Sequence, residues 1–268
     1  MPQGLSSTVR LFADDTIVYL TISSDTDAQT RHSSDLDKLG IWEHKWKMEF
    51  HPGKCNVSTI SKKANRVKYQ YNLHGHILES VNIAKYLGCQ ITSDLRWSDH
   101  VNNICGKANR TLGFLRRNLN VGSTSVKENA YKTLVRPTLE YASTVWDPYH
   151  QKDIQQLEMV QRRGARYVSN RFGNRSSVDN MLATLEWKSL QDRRKDARLG
   201  MLYKIVNDKV ALDKGDRLVP PLRSTMNMHQ LSFQIPSSRS DYIIFSYFTR
   251  TIRDWNSLPS GYCVSQNA

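Results

Sequence analysis

The spacing of hydrophobic and polar positions changes once along this chain, from strand-like to helical. Near the start, Val9-Arg10-Leu11-Phe12-Ala13 and Thr16-Ile17-Val18-Tyr19-Leu20 are β-favouring runs on either side of Asp14-Asp15. That pattern predicts a β-hairpin with its carboxylates at the bend. Leu36, Leu39, Trp42 or Glu43, and Trp46 recur at helical spacing within 27–48. Pro52-Gly53 interrupts, 55–60 reads as a strand, and 67–73 with 76–81 reads as a second hairpin turning at His74-Gly75. Residues 85–88 and 89–92 form a further strand pair or one bent strand. From Trp97 the period becomes helical. Val101, Ile104, Cys105, Ala108, Leu112, Leu115 and Leu119 keep one face apolar, behind an N-cap at Ser98 or Asp99. A second helix is expected over 125–136, stopping before Pro137. Ile154, Leu157, Val160, Gly164 and Val168 mark a third, and Leu190, Ala197, Met201 and Ile205 a fourth. Pro220-Pro221 and Ser237-Ser238 make 213–240 a loop-rich linker, and Phe245, Phe248, Ile252 and Trp255 close the chain with a last helix. Trp42, Trp46, Trp146, Trp187 and Trp255 fall on apolar positions and are expected in the core. The fold class is α+β, organised as 1–95, a mainly helical 96–212, and 213–268.

Charge narrows the class of partner. The 268 residues carry 38 Lys and Arg against 25 Asp and Glu, a net of +13. Residues 1–60 hold six basic and eight acidic side chains, so the whole excess lies downstream. Residues 107–136 hold Lys107, Arg110, Arg116, Arg117, Lys127, Lys132 and Arg136 against Glu128 alone. Residues 151–175 hold Lys152, Arg162, Arg163, Arg166, Arg171 and Arg175 against Asp153 and Glu158. Such windows suit a polyanion, above all nucleic acid, although each alone is also an ordinary solvated helix face. Arg193-Arg194-Lys195 reads either way. No apolar run is long enough to span a membrane. The first residues have neither the basic nor the apolar region of a secretory signal, so an intracellular protein of nucleus or cytoplasm is expected, not a secreted one. Four cysteines, Cys55, Cys89, Cys105 and Cys263, form no Cys-x-x-Cys pair and fit a reducing compartment. His51 with Cys55, His74 with His76, and His100 with Cys105 lack the spacing of a zinc finger.

Adjacent carboxylates at a bend repel, and a hard divalent cation relieves them. The bland alternative is a solvated Asp-Asp turn. Phe12-Ala13-Asp14-Asp15, framed by apolar strands, resembles the metal-binding palm motif of reverse transcriptases. Residues 42–54, ending Phe50-His51-Pro52-Gly53-Lys54, look like the next palm motif. Lys85-Tyr86-Leu87-Gly88-Cys89-Gln90-Ile91-Thr92 is similar to the primer-grip region of non-LTR retrotransposon enzymes, and Asp94-Leu95-Arg96-Trp97-Ser98-Asp99-His100-Val101 to the segment that opens their thumb. Leu134-Val135-Arg136-Pro137-Thr138-Leu139-Glu140-Tyr141-Ala142, Val145-Trp146-Asp147-Pro148, Leu157-Glu158-Met159-Val160-Gln161-Arg162-Arg163 and Asp254-Trp255-Asn256-Ser257-Leu258-Pro259 continue the series in order. The resemblance is to jockey-like and related LINE-type elements.

That resemblance implies a truncated palm followed by a helical thumb, and RNA-directed DNA synthesis with two Mg²⁺ in the intact family. It makes Asp14 the main metal ligand of this motif and Asp15 its less critical neighbour. Lys54 would sit near the phosphates of the incoming nucleotide. Tyr86, Leu87 and Gly88 would position the primer end. Lys107, Arg110, Arg116, Arg117, Arg162, Arg163 and Arg166 would hold an RNA template and DNA primer, or their hybrid, by the phosphates. A palm also needs a third carboxylate on an earlier strand. Met1 to Leu11 include no acid, so a chain inactive by itself is expected, with the missing N-terminal half as a possible partner. Two other readings stand beside this one: a non-catalytic nucleic-acid-binding module, and a decayed relic without function.

Overall fold

The computed structural model describes residues 4–28, 33–61, 63, 69–120, 122–173, 177–212, 214–222 and 229–259. The expected strand start at 67–68, Arg175 and Cys263 lie outside them. The chain divides into two compact units, Met1–His100 and Val101–Ala268. The first combines small sheets with a helix and the second is helical, so the fold is α+β.

In the first unit, β1 (Thr8–Phe12) and β2 (Asp15–Tyr19) form the expected antiparallel hairpin, with Thr8 opposite Tyr19 and Phe12 opposite Asp15. A two-residue turn, Ala13-Asp14, closes it, with Ala13 held at φ 52°. The short helix α1 (Asp25–Asp27) precedes α2 (Ser33–Trp46). The face α2 buries is Asp35, Leu39 and Glu43, and Trp46 is 61% exposed, contrary to its expected place in the core. Two acids share the buried face because each finds backbone N–H groups to accept from, which an apolar count cannot anticipate.

The expected strand over 55–60 shortens to β3 (Asn56–Val57), which pairs in parallel with β6 (Glu79–Ser80). The second hairpin is present as β4 (Asn72–Leu73) and β5 (His76–Ile77). The third is β7 (Ile83–Tyr86) with β8 (Cys89–Thr92), which settles the choice between a strand pair and a bent strand. Both turn on two residues at positive φ: His74 at 51° with Gly75 at 80°, and Leu87 at 44° with Gly88 at 80°. Glycine meets this need at little steric cost, and two left-handed residues match the twist of the flanking strands. Ala28, Tyr71, Leu73 and Leu78 form the core here, with Leu36, Phe50 and Val57 packed against it.

The second unit takes in α3 (Ser98–Asn118) from Val101 onward. Its apolar stripe is buried as expected, from Val101 through Ile104, Cys105, Ala108 and Leu112 to Leu115. Next comes α4 (Thr124–Ala130), then a π-turn over Tyr131–Val135, and α5 (Arg136–Glu140). The helix therefore does not stop before Pro137. Arg136 N–H reaches back five residues to the Tyr131 carbonyl, so the backbone widens just ahead of the proline. Widening there relieves the clash that Pro137 would impose on an α-helical turn. Tyr131 lies fully buried, stacked on Trp187 at 4.5 Å between centroids.

Helix α6 (Ser143–Trp146) leads to α7 (Gln151–Val168), which buries Ile154, Leu157, Val160, Gly164 and Val168 as the spacing predicts. Gly164 sits directly beneath the Tyr131 ring. After α8 (Val178–Thr184), α9 (Leu190–Val206) buries Leu190, Arg194, Arg198, Leu202 and Ile205. Ala197 is exposed and Met201 only half-buried, so the real buried face is rotated from the expected one. The cause is a buried ion cluster. Asp147 lies 2.8 Å from Arg194 Nε, 2.8 Å from Arg198 Nε and 3.0 Å from Arg250 Nη1. Arg198 also donates to Asp254 at 3.0 Å. Burial lowers the pKa of the Arg250 guanidinium, although neighbouring Asp147 works in the opposite direction. Arg194 is 1% exposed, and it is neither a solvated residue nor a surface contact for phosphate. The short α10 (Asp241–Ile244) and then α11 (Tyr247–Asn256) end the described chain, and Ile252 and Trp255 pack on Leu202. Trp146 and Trp255 are core residues as expected. Among the described residues no helix is long and apolar enough to cross a membrane.

Candidate functional site

The carboxylate pair stands at the tip of the β1–β2 hairpin. Asp14 occupies the turn, Asp15 is the first residue of β2, and both are exposed. What steadies this hairpin lies on α2. The buried Asp35 carboxylate accepts hydrogen bonds from Ser6 N at 3.0 Å and Ser7 N at 2.6 Å, just ahead of β1. Lys38 donates to the Gly4 carbonyl at 2.8 Å. Sequence reading missed Asp35, although an acid in the first turn of a helix is a recognisable signal. Burial works to raise the Asp35 pKa, but the hydrogen bonds from Ser7 and Ser6, with help from Lys38, outweigh it and hold the carboxyl below its usual value. A carboxyl whose folded pKa lies below the unfolded one stabilises the fold above the unfolded value, and that contribution is lost as pH falls through the folded value. Hydrogen exchange should therefore show protection of the Ser6 and Ser7 amides failing in acid. In Asp35→Asn the protection should be weak at every pH, and a wild-type-like acid transition in that variant would refute the assignment.

Lys54 ends the turn Pro52–Lys54 and is exposed. The turn is held from behind by Glu43, whose buried carboxylate accepts from Phe50 N and lies 2.7 Å from His74 Nε2. Tyr86 and Leu87 are half-buried and Gly88 is exposed at the β7–β8 turn. Following β8, Asp94 accepts from Arg96 N at 3.1 Å, and Thr92 donates to the Arg96 carbonyl at 2.7 Å. Asp14 and Asp15, Lys54, and Tyr86 to Gly88 thus occupy three separate turns, and no ion pair links Asp14 or Asp15 to Lys54 among the described residues. A cleft of about 710 Å³ between α2 and the β4–β5 turn, lined by Gly40, Ile41, His44, Tyr69 and His74, includes none of these residues.

The metal requirement can be tested against this donor set. One Mg²⁺ needs only one or two carboxylates, the rest of its shell being water or phosphate oxygen. Two ions bracketing an in-line displacement need more donors than one adjacent pair. Among the described residues no cluster of three His, Cys, Asp or Glu is placed to hold a metal ion. The described residues therefore do not by themselves fit a two-ion centre.

The basic candidates lie in the second unit, where residues 101–268 carry 26 Lys and Arg against 14 Asp and Glu. Two contacts set α3 beside α7: Arg163 Nη1 donates to Asn109 Oδ1 at 3.0 Å, and Tyr167 OH reaches the Leu119 carbonyl at 3.4 Å. This brings the α3 part of the first basic window next to the helix that carries most of the second. The seven residues are not equivalent. Arg163 is engaged by Asn109, Arg162 by Asp179 at 3.3 Å, and Arg116 by the Phe172 ring at 4.7 Å. Lys107, Arg110 and Arg117 are exposed and Arg166 is half-buried, and none of these four has an ion pair among the described residues. Charge counting could not separate the two groups, because Asn109, Phe172 and Asp179 are distant in sequence from the side chains they hold.

With these features in place, the chain's likeness is to RNA-directed DNA polymerases of jockey-like non-LTR elements. It is similar to the RNA-directed DNA polymerase from mobile element jockey of Drosophila melanogaster, 26% identical over 165 residues, which is 60% of this chain and 18% of that protein. It is also similar to the probable RNA-directed DNA polymerase from transposon BS of the same organism, 24% identical over 163 residues, 59% of this chain and 18% of that protein. The matched part spans under a fifth of the length of either relative. No family model matches the chain, and no solved structure does.

Proposed function

We propose that this chain is the template–primer-holding part of a non-LTR reverse transcriptase and that it does not polymerise DNA by itself. The first unit is read as a palm remnant carrying Asp14, Asp15 and Lys54, with Tyr86, Leu87 and Gly88 at the primer end. The second is read as the thumb and the helices that follow it. In an intact enzyme of this kind, divalent metal would supply activation of the attacking primer oxygen and stabilisation of the leaving pyrophosphate. In this chain, Asp14 and Asp15 would contribute donors to one ion, and the basic helices would bind phosphate. The observation that carries the reading is the pair of contacts, Arg163 to Asn109 and Tyr167 to the Leu119 carbonyl, that brings the helix bearing Lys107, Arg110 and Arg117 next to the one bearing Arg166.

Binding of a labelled RNA–DNA hybrid, followed by fluorescence anisotropy across a salt series, tests it. Phosphate contacts release counterions, so affinity should fall steeply with salt. Arg110→Gln, Arg117→Gln and Arg166→Gln should each flatten the log–log slope by about one. Arg162→Gln, whose guanidinium already faces Asp179, should change the slope less. Asp14→Ala should leave binding untouched. Salt-independent binding would refute the interface, and primer extension by the purified chain would refute the inactivity.

A further inference from the structure

The outer face of α3 interrupts its cations with one aromatic ring. Lys107, Arg110, Phe114 and Arg117 follow one another at intervals of three, four and three residues, which puts them on one helical face. At 1.5 Å per residue this stripe is about 15 Å long. No acid occurs on α3 beyond Asp99. Phe114 is 56% exposed and makes no ring or cation contact among the described residues, whereas Phe172 lies under Arg116. Arg110 and Arg117 lean back along the helix. Arg110 Nη1 lies 3.7 Å from where a Cβ on Gly106 would stand, and Arg117 Nη1 lies 3.5 Å from the same point on Gly113. The two Gly-to-Arg steps repeat after seven residues, with Lys107 in the first and Phe114 in the second at equivalent positions. Helix-interior glycine is unfavourable, and here it leaves room for each guanidinium to lie along the helix surface. Phe114 therefore stands uncovered between two cationic groups.

We infer that Phe114 is a base-stacking residue for an unpaired nucleotide, whose flanking phosphates Arg110 and Arg117 hold. This inference rests on the α3–α7 nucleic-acid reading and adds a preference to it. A paired base already has its faces covered by neighbours in the stack and offers a protruding ring nothing to cover. An unpaired base exposes a full π-face, and aromatic stacking on it is tolerant of sequence. The stripe thus selects a single strand, such as the template running beyond a primer, over a fully paired hybrid.

The test uses the full chain, labelled oligo-dT, and a blunt RNA–DNA hybrid of the same length. Phe114→Ala should weaken oligo-dT binding about tenfold, the order expected for losing one base–aromatic stack. Hybrid binding and the salt slopes should stay unchanged, and Phe114→Tyr should retain the single-strand affinity. Because the ring is exposed, thermal melting should be the same for both variants, which separates the effect from misfolding. Equal loss on both ligands would mean that the ring packs against or wedges into duplex and would overturn the inference, as would no loss on oligo-dT. Failure of the wild-type chain to bind either ligand would instead overturn the parent reading and this inference with it.

Discussion

Replacing Gly164 by alanine is expected to destabilise the helical unit strongly. In α7 the added Cβ would stand 2.4 Å from Tyr131 Cε2, with two further ring atoms within 2.9 Å. Neither side can easily give way. Gly164 belongs to a helix whose backbone is fixed, and Tyr131 is fully buried with Trp187 stacked on it. Trp187 is held in turn by its Nε1 donating to Glu128 at 2.9 Å. Helix propensity favours the substitution by about 1 kcal/mol. Overpacking opposes it by about 3 kcal/mol at a site this tight. The net loss of about 2 kcal/mol should lower Tm by roughly 4–8 °C in circular-dichroism melting. A Tm that rises would show that the ring moves freely and would sink the argument. Combining Gly164→Ala with Tyr131→Leu should recover part of the loss relative to the sum of the single changes, because the clash is with the ring.

Asp147→Ala is expected to cost more. Asp147 faces Arg194, Arg198 and Arg250 together. Exchange of its partners for apolar residues is not the relevant comparison. Removing only the acid leaves buried guanidinium groups facing one another, and breaking a buried pair from one side costs about 3–5 kcal/mol. Arg198 keeps Asp254, but Arg194 loses the carboxylate that it pairs with among the described residues and stays buried. Denaturant titration should show the fall in stability, with Asp147→Asn only partly rescuing it, since the amide restores shape and hydrogen bonding but not charge. Arg250→Met should be milder, because Arg250 is less buried and leaves Asp147 with two partners. If Asp147→Ala melted within about 0.5 kcal/mol of wild type, as an ordinary surface substitution does, the cluster would not be holding α6, α9 and α11 together.

Much of the architecture was legible because local chemistry and tertiary environment agree. The β1–β2 hairpin follows from two β-favouring runs around a polar bend, and α3 and α7 follow from apolar stripes that are buried as spaced. Where they disagree, the reading fails for identifiable reasons. On α9, arginines occupy the buried face because Asp147 waits for them from a distant segment, and the apolar pattern points to Ala197 and Met201 instead. At Pro137 a π-turn accommodates a residue that ordinarily ends helices. On α2, Asp35 and Glu43 are buried by the backbone amides they accept from, while Trp46 is left outside. For the candidate site, the position of Asp14 and Asp15 at a hairpin tip was readable from the sequence. Which cations are already occupied was not, because that depends on partners brought close only by folding.

The π-turn over Tyr131–Val135 also bears on how this segment tolerates change at the level of the codon. It accommodates one residue more than a straight helix would use between Tyr131 and Arg136. A reading frame one codon shorter there would give a more regular helix, and by local criteria a better one. Because the turn absorbs that extra residue, the helix beyond it would keep its phase, whereas a residue removed from the regular turns on either side would rotate everything beyond by about 100°. In that second case Leu139 would leave the core, and Glu140 would swing away from Arg193, which donates to it through two nitrogens. The irregular turn is thus a place where losing one codon leaves the flanking helices in phase, and single-residue deletions should be tolerated better within Tyr131–Val135 than in α4 or α5.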